Sequence, residues 1–407
     1  LRSSCNWGAR HVGIAGSIDH SGGHAVETSA DRAPGIGDIT VFRDFADAEA
    51  IWRGFEHFAI ATPYQRFDWL EAWHRHIGRR NGLTPLIVHV RTDDGRTAFL
   101  WPLAIRTSGN VRVASWMGCK LVNYRLGLYA PESTPGTDRA ALMPVLDHLR
   151  DEAGVDTLTL TNQPEVWAGM RNPLLSLPHQ GSPSCAYSLP LRPDFDALYA
   201  EIRSSSTRKK FRRSERLIER GMRTCTLRQP ANADEVDRVL DAYFVQKSKR
   251  MQDKHVHNVF VQPGVMDFFR EMAKRSIGMD EPLLDLFWLD AGGHVAATWA
   301  GTVAGGRMSG IITSFGEEKF GRFHAGEILL RMVIERCCKA GLTEFDLGVG
   351  EAQYKNSWCS RTDLLFDSFV PLTAAGWMHS TVTKTGFRLK RAAKKSDFLS
   401  ELAGRLR

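Results

Sequence analysis

The sequence predicts an α/β protein with mixed sheets, arranged as two similar halves. Three observations carry this expectation: alternating apolar runs joined by glycine pairs, amphipathic segments of helical period, and one helix, Ala-Gly, strand junction that occurs in both halves. A chain of 407 residues also exceeds the size at which one core usually suffices, so two domains are expected.

Residues 1–37 are rich in Gly, Ser, Ala and His without an amphipathic period, and are expected to form a disordered extension. The chain starts with Leu1 rather than Met. From Asp38 the pattern turns globular, with Ile39, Val41 and Phe42 in a strand, and Trp69, Leu70, Trp73 and Ile77 on one face of a helix. Residues 85–91 and 97–106 flank Asp94-Gly95, a dipeptide suited to the positive φ values of a tight hairpin. A helix over 140–152 leads through Ala153-Gly154 into a strand at 155–160. Residues 38–185 thus form a first half. The stretch 172–193 reads as a crossover, in which 186–191 could be a strand.

The second half, residues 186–380, repeats the order more clearly. Residues 284–290, 295–303 and 307–315 are strand-like runs joined by Gly292-Gly293 and Gly305-Gly306, which predicts an antiparallel meander. Residues 327–339 place Ile328, Leu329, Met332, Val333 and Ile334 for packing and leave Arg331, Glu335 and Arg336 to solvent. Gly341 ends this helix as a left-handed residue would, and Phe345, Leu347 and Val349 alternate in the strand that follows. Residues 381–407 form a basic tail.

No stretch approaches the roughly 18–20 apolar residues that span a bilayer, and no secretory signal pattern opens the chain, so a cytoplasmic protein is expected. Seven cysteines without a CxxC pair give neither a disulfide framework nor a zinc site, and no metal is expected. The net charge of +7 is concentrated in Arg203–Arg223 and Lys384–Arg407. No nucleic-acid reading module accompanies these runs, so DNA is not an expected partner; anionic ligands, or membrane contact through the basic tail, suit them better. The Arg203–Arg223 run is expected to be a helix with Phe211, Leu217 and Ile218 on its packed side.

The chemistry is expected at Ser314–Leu330 (SFGEEKFGRFHAGEILL), where a strand passes through a basic, glycine-containing loop into a helix N-terminus. Unpaired N–H groups and the helix dipole favour a phosphate there; Lys319 and Arg322 add charge, and Gly321 and Gly326 permit close backbone approach.

The order of meander, basic loop, helix, strand and helix resembles the GNAT acyltransferase fold. It is most similar to a bacterial CelD/BcsL-like subfamily, often found with polysaccharide biosynthesis, which in turn looks like the FemABX aminoacyltransferases. The resemblance spans Asp38–Trp377 and rests on PYQRFDWLEAW at Pro63–Trp73, TRKKFRRSERLIERG at Thr207–Gly221, HAGEILL at His324–Leu330 and FDLGVGEAQYKNSW at Phe345–Trp358. It implies tandem GNAT-like domains, the first degenerate, and an acetyl-CoA or other acyl-CoA donor whose pyrophosphate rests on the loop around Lys319, Arg322, His324, Ala325 and Gly326. From Arg322 the sequence reads RFHAG, with Ala325 where the family pattern has its first glycine; a positive φ there would cost on the order of 1 kcal/mol. The N–H groups of Ile311, Ile312 and Thr313 are expected to face the thioester oxygen. Asp346, Glu351 and Tyr354 are candidate proton carriers, and Lys355 a catalytic or acceptor-binding group. Arg208 and Arg212 are candidates for binding an acidic substrate.

The implied reaction is acyl transfer to an amine or hydroxyl of a small or glycan acceptor, in company with polysaccharide-synthesis machinery. Two other readings stand beside it: a FemABX-like transferase using aminoacyl-tRNA, and a non-catalytic accessory protein of polysaccharide synthesis.

Overall fold

The computed structural model describes residues 35–132, 138–256 and 258–405. The first strands are β1 (Ile36–Phe42), β2 (Thr84–Thr92), β3 (Thr97–Ser108), β4 (Val111–Trp116), β5 (Leu128–Tyr129), β6 (Thr157–Pro164), β7 (Val166–Trp167), β8 (Met170–Arg171) and β9 (His179–Gly181). Then come β10 (Ala186–Pro190), β11 (Thr226–Arg228), β12 (Asp285–Ala291), β13 (His294–Ala304), β14 (Arg307–Phe315), β15 (Glu344–Val349), β16 (Arg361–Asp363) and β17 (Leu365–Pro371). The early α-helices are α1 (Phe45–Glu56), α2 (Phe67–Trp73), α3 (Arg139–Asp151), α4 (Phe195–Ile202) and α5 (Ser205–Met222). They are followed by α6 (Ala233–Asp253), α7 (Val265–Arg275), α8 (Glu317–Phe320), α9 (Ala325–Lys339), α10 (Gln353–Trp358) and α11 (Ala374–Arg405).

Turn chemistry explains the meander. Gly292, Gly293, Gly305 and Gly306 all take positive φ (62°, 82°, 56° and 76°), so each pair closes a two-residue hairpin whose twist matches its strands. The β2–β3 turn differs from expectation, because only Gly95 has positive φ (85°). Asp94 instead serves as an acceptor, taking hydrogen bonds from the Thr92 hydroxyl and from the Arg96 N–H at 3.3 Å.

Each half then runs meander, helix, strand, and the new strand lies parallel to the meander's last one: β6 beside β4, and β15 beside β14. Gly154 and Gly341 take the left-handed φ (65° and 75°) that ends the two helices. The resulting sheets are ordered β1-β2-β3-β4-β6-β17-β9, with β5 on β3, and β11-β12-β13-β14-β15-β10-β16.

The second half gives one strand to the first sheet. β10 precedes the second meander yet pairs antiparallel with β15, while β17, near the end of the chain, pairs antiparallel with β6. A boundary at 185/186 therefore leaves one strand of the first sheet on the far side. The start of α11 is fixed to that first sheet too: Ser380 and Thr157 hydroxyls lie 2.6 Å apart, and Phe387 packs edge-on against Phe369. The basic segment from 381 is thus the continuation of a helix that starts at Ala374.

Two further expectations shift. β1 begins at Ile36, inside the extension expected to reach residue 37; residues 1–34 lie outside the described residues. On α5 the packed positions are Phe211, Ser214 and Ile218, and Leu217 is exposed. Among the described residues no helix is long and apolar enough to cross a membrane, and no cluster of three His, Cys, Asp or Glu could hold a metal.

Candidate active site

β14 and β15 share a ladder only from Arg307–Ser309 to Glu344–Asp346, and then diverge. A register shift against β13 at Ala300/Gly301 bends β14 at the same level. Gly310 accommodates the bend, since a Cβ there would lie 2.8 Å from Trp299. The V between the strands opens into a cleft of about 690 Å³. Thr313 and Phe315 line it from β14, Glu351 and Tyr354 from beyond β15, and His324 and Gly326 from the start of α9. Arg203, Arg250 and Lys254 supply cations, and Glu327 faces them.

The N-terminus of α9 carries no side-chain cap. The N–H groups of Glu327 and Ile328 turn back to the His324 carbonyl (3.0 and 3.1 Å), which leaves those of Ala325 and Gly326 without a partner inside the helix. The corresponding helix of the first half is closed: Asp138 caps α3 by accepting the Ala141 N–H at 2.9 Å. Of these two corresponding helices, α9 is the one that presents an uncapped end to an anion. In its first turn Glu327 accepts from Arg203 at 2.7 Å and from the Trp358 indole at 2.8 Å, and the Arg203 guanidinium lies 4.3 Å over the Trp358 ring.

The left-handed residue of this loop is His324 (φ 58°), and Ala325 is a helical residue that is completely buried. The strain expected at Ala325 therefore falls one residue earlier, and the Ala325 methyl points into packing rather than at the cleft. Gly326 does line the cleft, where a Cβ would come within 3.1 Å of the Phe315 ring. Lys319 and Arg322 are exposed and turn away. Lys319 lies 3.0 Å from the His294 ring nitrogen, and Arg322 sits 4.6 Å over Phe323.

Of the three expected strand donors, Ile312 is buried and Ile311 half-buried, and only Thr313 lines the cleft. The Gly316 N–H bonds the Ala296 carbonyl at 3.0 Å; the alternation of an antiparallel ladder then turns the Thr313 N–H toward the V. Lys247 approaches the Thr313 carbonyl at 3.4 Å.

Asp346 is not in the cleft. It is fully buried where the two halves meet, accepting from Tyr124 (3.0 Å), from the Gly348 N–H (2.6 Å) and from Arg307 (3.2 Å). Burial raises its pKa from the ordinary carboxylate value and Arg307 opposes that. Lys355 is buried as well, its ammonium donating to the Gly348 and Val349 carbonyls at 3.0 Å each, and desolvation brings its pKa down to about 8. Tyr354 keeps its proton, because burial pushes its pKa up to about 12. Glu351 is exposed at the rim. On α5, Arg208 is half-buried and Arg212 exposed, and neither lines the cleft.

The cations that do line it were not singled out from the sequence. Arg250 and Lys254 belong to a visible charge run, KSKRMQDK at Lys247–Lys254. Arg203 opens the basic Arg203–Arg223 stretch, but its inward direction follows from the turn between α4 and α5, where Ser204 caps α5.

Residues 205–356 match the family model described as acetyltransferase (GNAT) domain. No curated protein matches the chain. Similar solved structures include a conserved protein of unknown function from Bacteroides thetaiotaomicron, 11% identical, covering 82% of this chain and 100% of that one with a TM-score of 0.51. The C-terminal domain of a putative lysylphosphatidylglycerol synthetase from Agrobacterium fabrum is 9% identical, with 84% and 96% covered and a TM-score of 0.50. FemX is 11% identical, with 81% and 97% covered and a TM-score of 0.51. At these identities the likeness concerns the fold. The chain has a tandem GNAT-like mixed α/β fold, and the segment that carries most of its cleft is the one matched by the GNAT acetyltransferase domain.

Proposed function

We propose that the protein is an acyltransferase that uses an acyl-CoA donor and passes the acyl group to an amine or hydroxyl of a polar, sugar-containing acceptor. The observation that carries this reading is the open V between β14 and β15, which leads directly to the uncapped end of α9. The residues present fit such a donor: the Ala325 and Gly326 amides are free of helix partners, Gly326 leaves room against Phe315, and Arg250 and Lys254 balance phosphate charge from the opposite wall.

When bound, the donor supplies an activated thioester. The chain's own groups then do the rest. The Thr313 N–H, turned into the V, stabilises negative charge on the acyl oxygen. The acceptor attacks the carbonyl carbon as the C–S bond breaks. Glu351 at the rim takes the acceptor's proton, and Tyr354, protonated up to about 12, provides one for the departing thiolate. Purified protein is expected to melt at a higher temperature with coenzyme A, and to release free thiol from acetyl-CoA when a suitable amino sugar is present. Folded protein without coenzyme A affinity would end this reading.

One observation favours a second donor class. α5 exposes Lys209, Lys210, Arg212, Arg213, Arg216 and Arg220, and Phe211 of the same helix packs 5.8 Å from His324 at the cleft. A polyanionic donor such as aminoacyl-tRNA would lie along this face. Salt-sensitive tRNA binding in place of coenzyme A binding is the result that selects it.

A further inference from the structure

Just past the last shared rung of β14 and β15, a side chain from the other half joins the two strands. Asn123 donates from Nδ2 to the Gly310 carbonyl at 2.7 Å, and its Oδ1 accepts the Val349 N–H at 3.2 Å. Gly310 directly follows Ser309, and Val349 lies three residues beyond Asp346, the last paired residues of each strand. A carboxamide carries the same donor and acceptor as a peptide group. It stands here as an inserted rung, wider than a backbone one.

The surroundings are shaped to hold it. A Cβ on Gly348, which has φ 73°, would lie 2.5 Å from the Asn123 carboxamide. The second Nδ2 proton goes to the hydroxyl of the fully buried Tyr64 at 2.8 Å. The next residue, Tyr124, belongs to the Asp346–Arg307 cluster, donating to Asp346 and accepting from Arg307 at 3.1 Å. The cleft begins immediately above, at Thr313 on β14 and Glu351 just past the end of β15.

We propose that Asn123 is a positioning residue of this cleft, a wedge contributed by the first half that sets the separation of β14 and β15 and so the width of the slot. Without it, the Gly310 carbonyl and the Val349 N–H lose their partners within the V. Buried peptide groups seek replacements, and each strand offers the other one by continuing the parallel ladder, which narrows the slot. The first half, whose own helix end is capped by Asp138, is then an integral part of the second half's site. The inference rests on the acyl-CoA reading only for the ligand used in one arm of its test.

The test compares Asn123→Ala with Tyr124→Phe, which breaks neighbouring hydrogen bonds at the same junction without touching the V. Asn123→Ala is expected to bind coenzyme A about tenfold more weakly by calorimetry, with slowed amide exchange at Ile311–Thr313. Tyr124→Phe is expected to melt earlier with affinity and exchange unchanged. Asn123→Asp keeps the acceptor for Val349, loses the donor for Gly310, and is expected between wild type and Asn123→Ala; it stands in if the alanine variant does not fold. Equal affinities in Asn123→Ala and Tyr124→Phe, or exchange at Ile311–Thr313 as fast as in wild type, would overturn the wedge. If wild type itself binds no coenzyme A, the donor reading fails and the exchange arm alone decides.

Discussion

Asp346 shows how a residue chosen for catalysis can be committed to architecture. Arg307 is shared among Asp346, Glu344 (3.1 Å) and Asp363 (3.4 Å), and its guanidinium lies 4.6 Å over Trp167 of the first half. Asp346→Asn is therefore expected to lower stability by about 2–3 kcal/mol, below the full penalty of a broken buried pair because two carboxylates remain. Urea denaturation reads that loss, while coenzyme A affinity should stay within twofold or so of wild type. Lys355 makes a pH-dependent claim. Its folded pKa of about 8 lies below the ordinary 10.5, so between those values the unfolded chain binds the extra proton. Stability from this group is complete above 10.5 and is lost as pH falls through 8. Other groups titrate in the same window, so the informative quantity is the difference between wild type and Lys355→Met. Wild type should gain more than the variant in urea midpoint from pH 8 to pH 10.5.

At the scale of elements, α9 offers a test in which stability and binding move apart. Gly326 sits in its first turn, where Ala is the better helix former by up to about 1 kcal/mol. The added methyl would meet Phe315 at 3.1 Å on the cleft side. Gly326→Ala is expected to hold or raise the melting temperature while weakening coenzyme A binding about tenfold, measured by calorimetry. The same helix marks how far the sequence could be read. Its apolar period, the Gly341 stop and the glycine-pair hairpins before it are local signals, and the elements they predict are present. What sequence could not assign was direction. Phe320 is buried, which turns its neighbour Lys319 outward, and the left-handed turn falls on His324 because Ala325 is taken into the core. Asp346 follows an alternation that would suit solvent, yet Tyr124 from 222 residues away covers it. Asn123 left no motif at all, since its role depends on two strands separated from it by more than 180 residues.

For the whole molecule, the crossing of β17 into the first sheet is the feature with the largest consequence. No local pattern announces that β17 belongs to the first sheet, so a division into consecutive halves splits that sheet. β17 buries Leu365, Phe366, Phe369 and Val370, and at about 1.5–3 kcal/mol for each large apolar side chain its removal forfeits on the order of 10 kcal/mol. That is comparable to the entire stability of an ordinary domain. It also strands the β6 ladder and leaves the Asn162 N–H without the Asp367 carboxylate that accepts it at 2.9 Å. A chain ending at residue 364 is therefore expected to lose the cooperative unfolding of its first half, seen as a missing calorimetric transition. Coenzyme A binding should fall with it, although every cleft-lining residue precedes the cut, because the wedge at Asn123 depends on a folded first sheet. Supplying residues 363–407 as a separate co-expressed fragment should restore both properties. A truncated chain that keeps a full transition and full coenzyme A affinity would show that the second half builds its site alone.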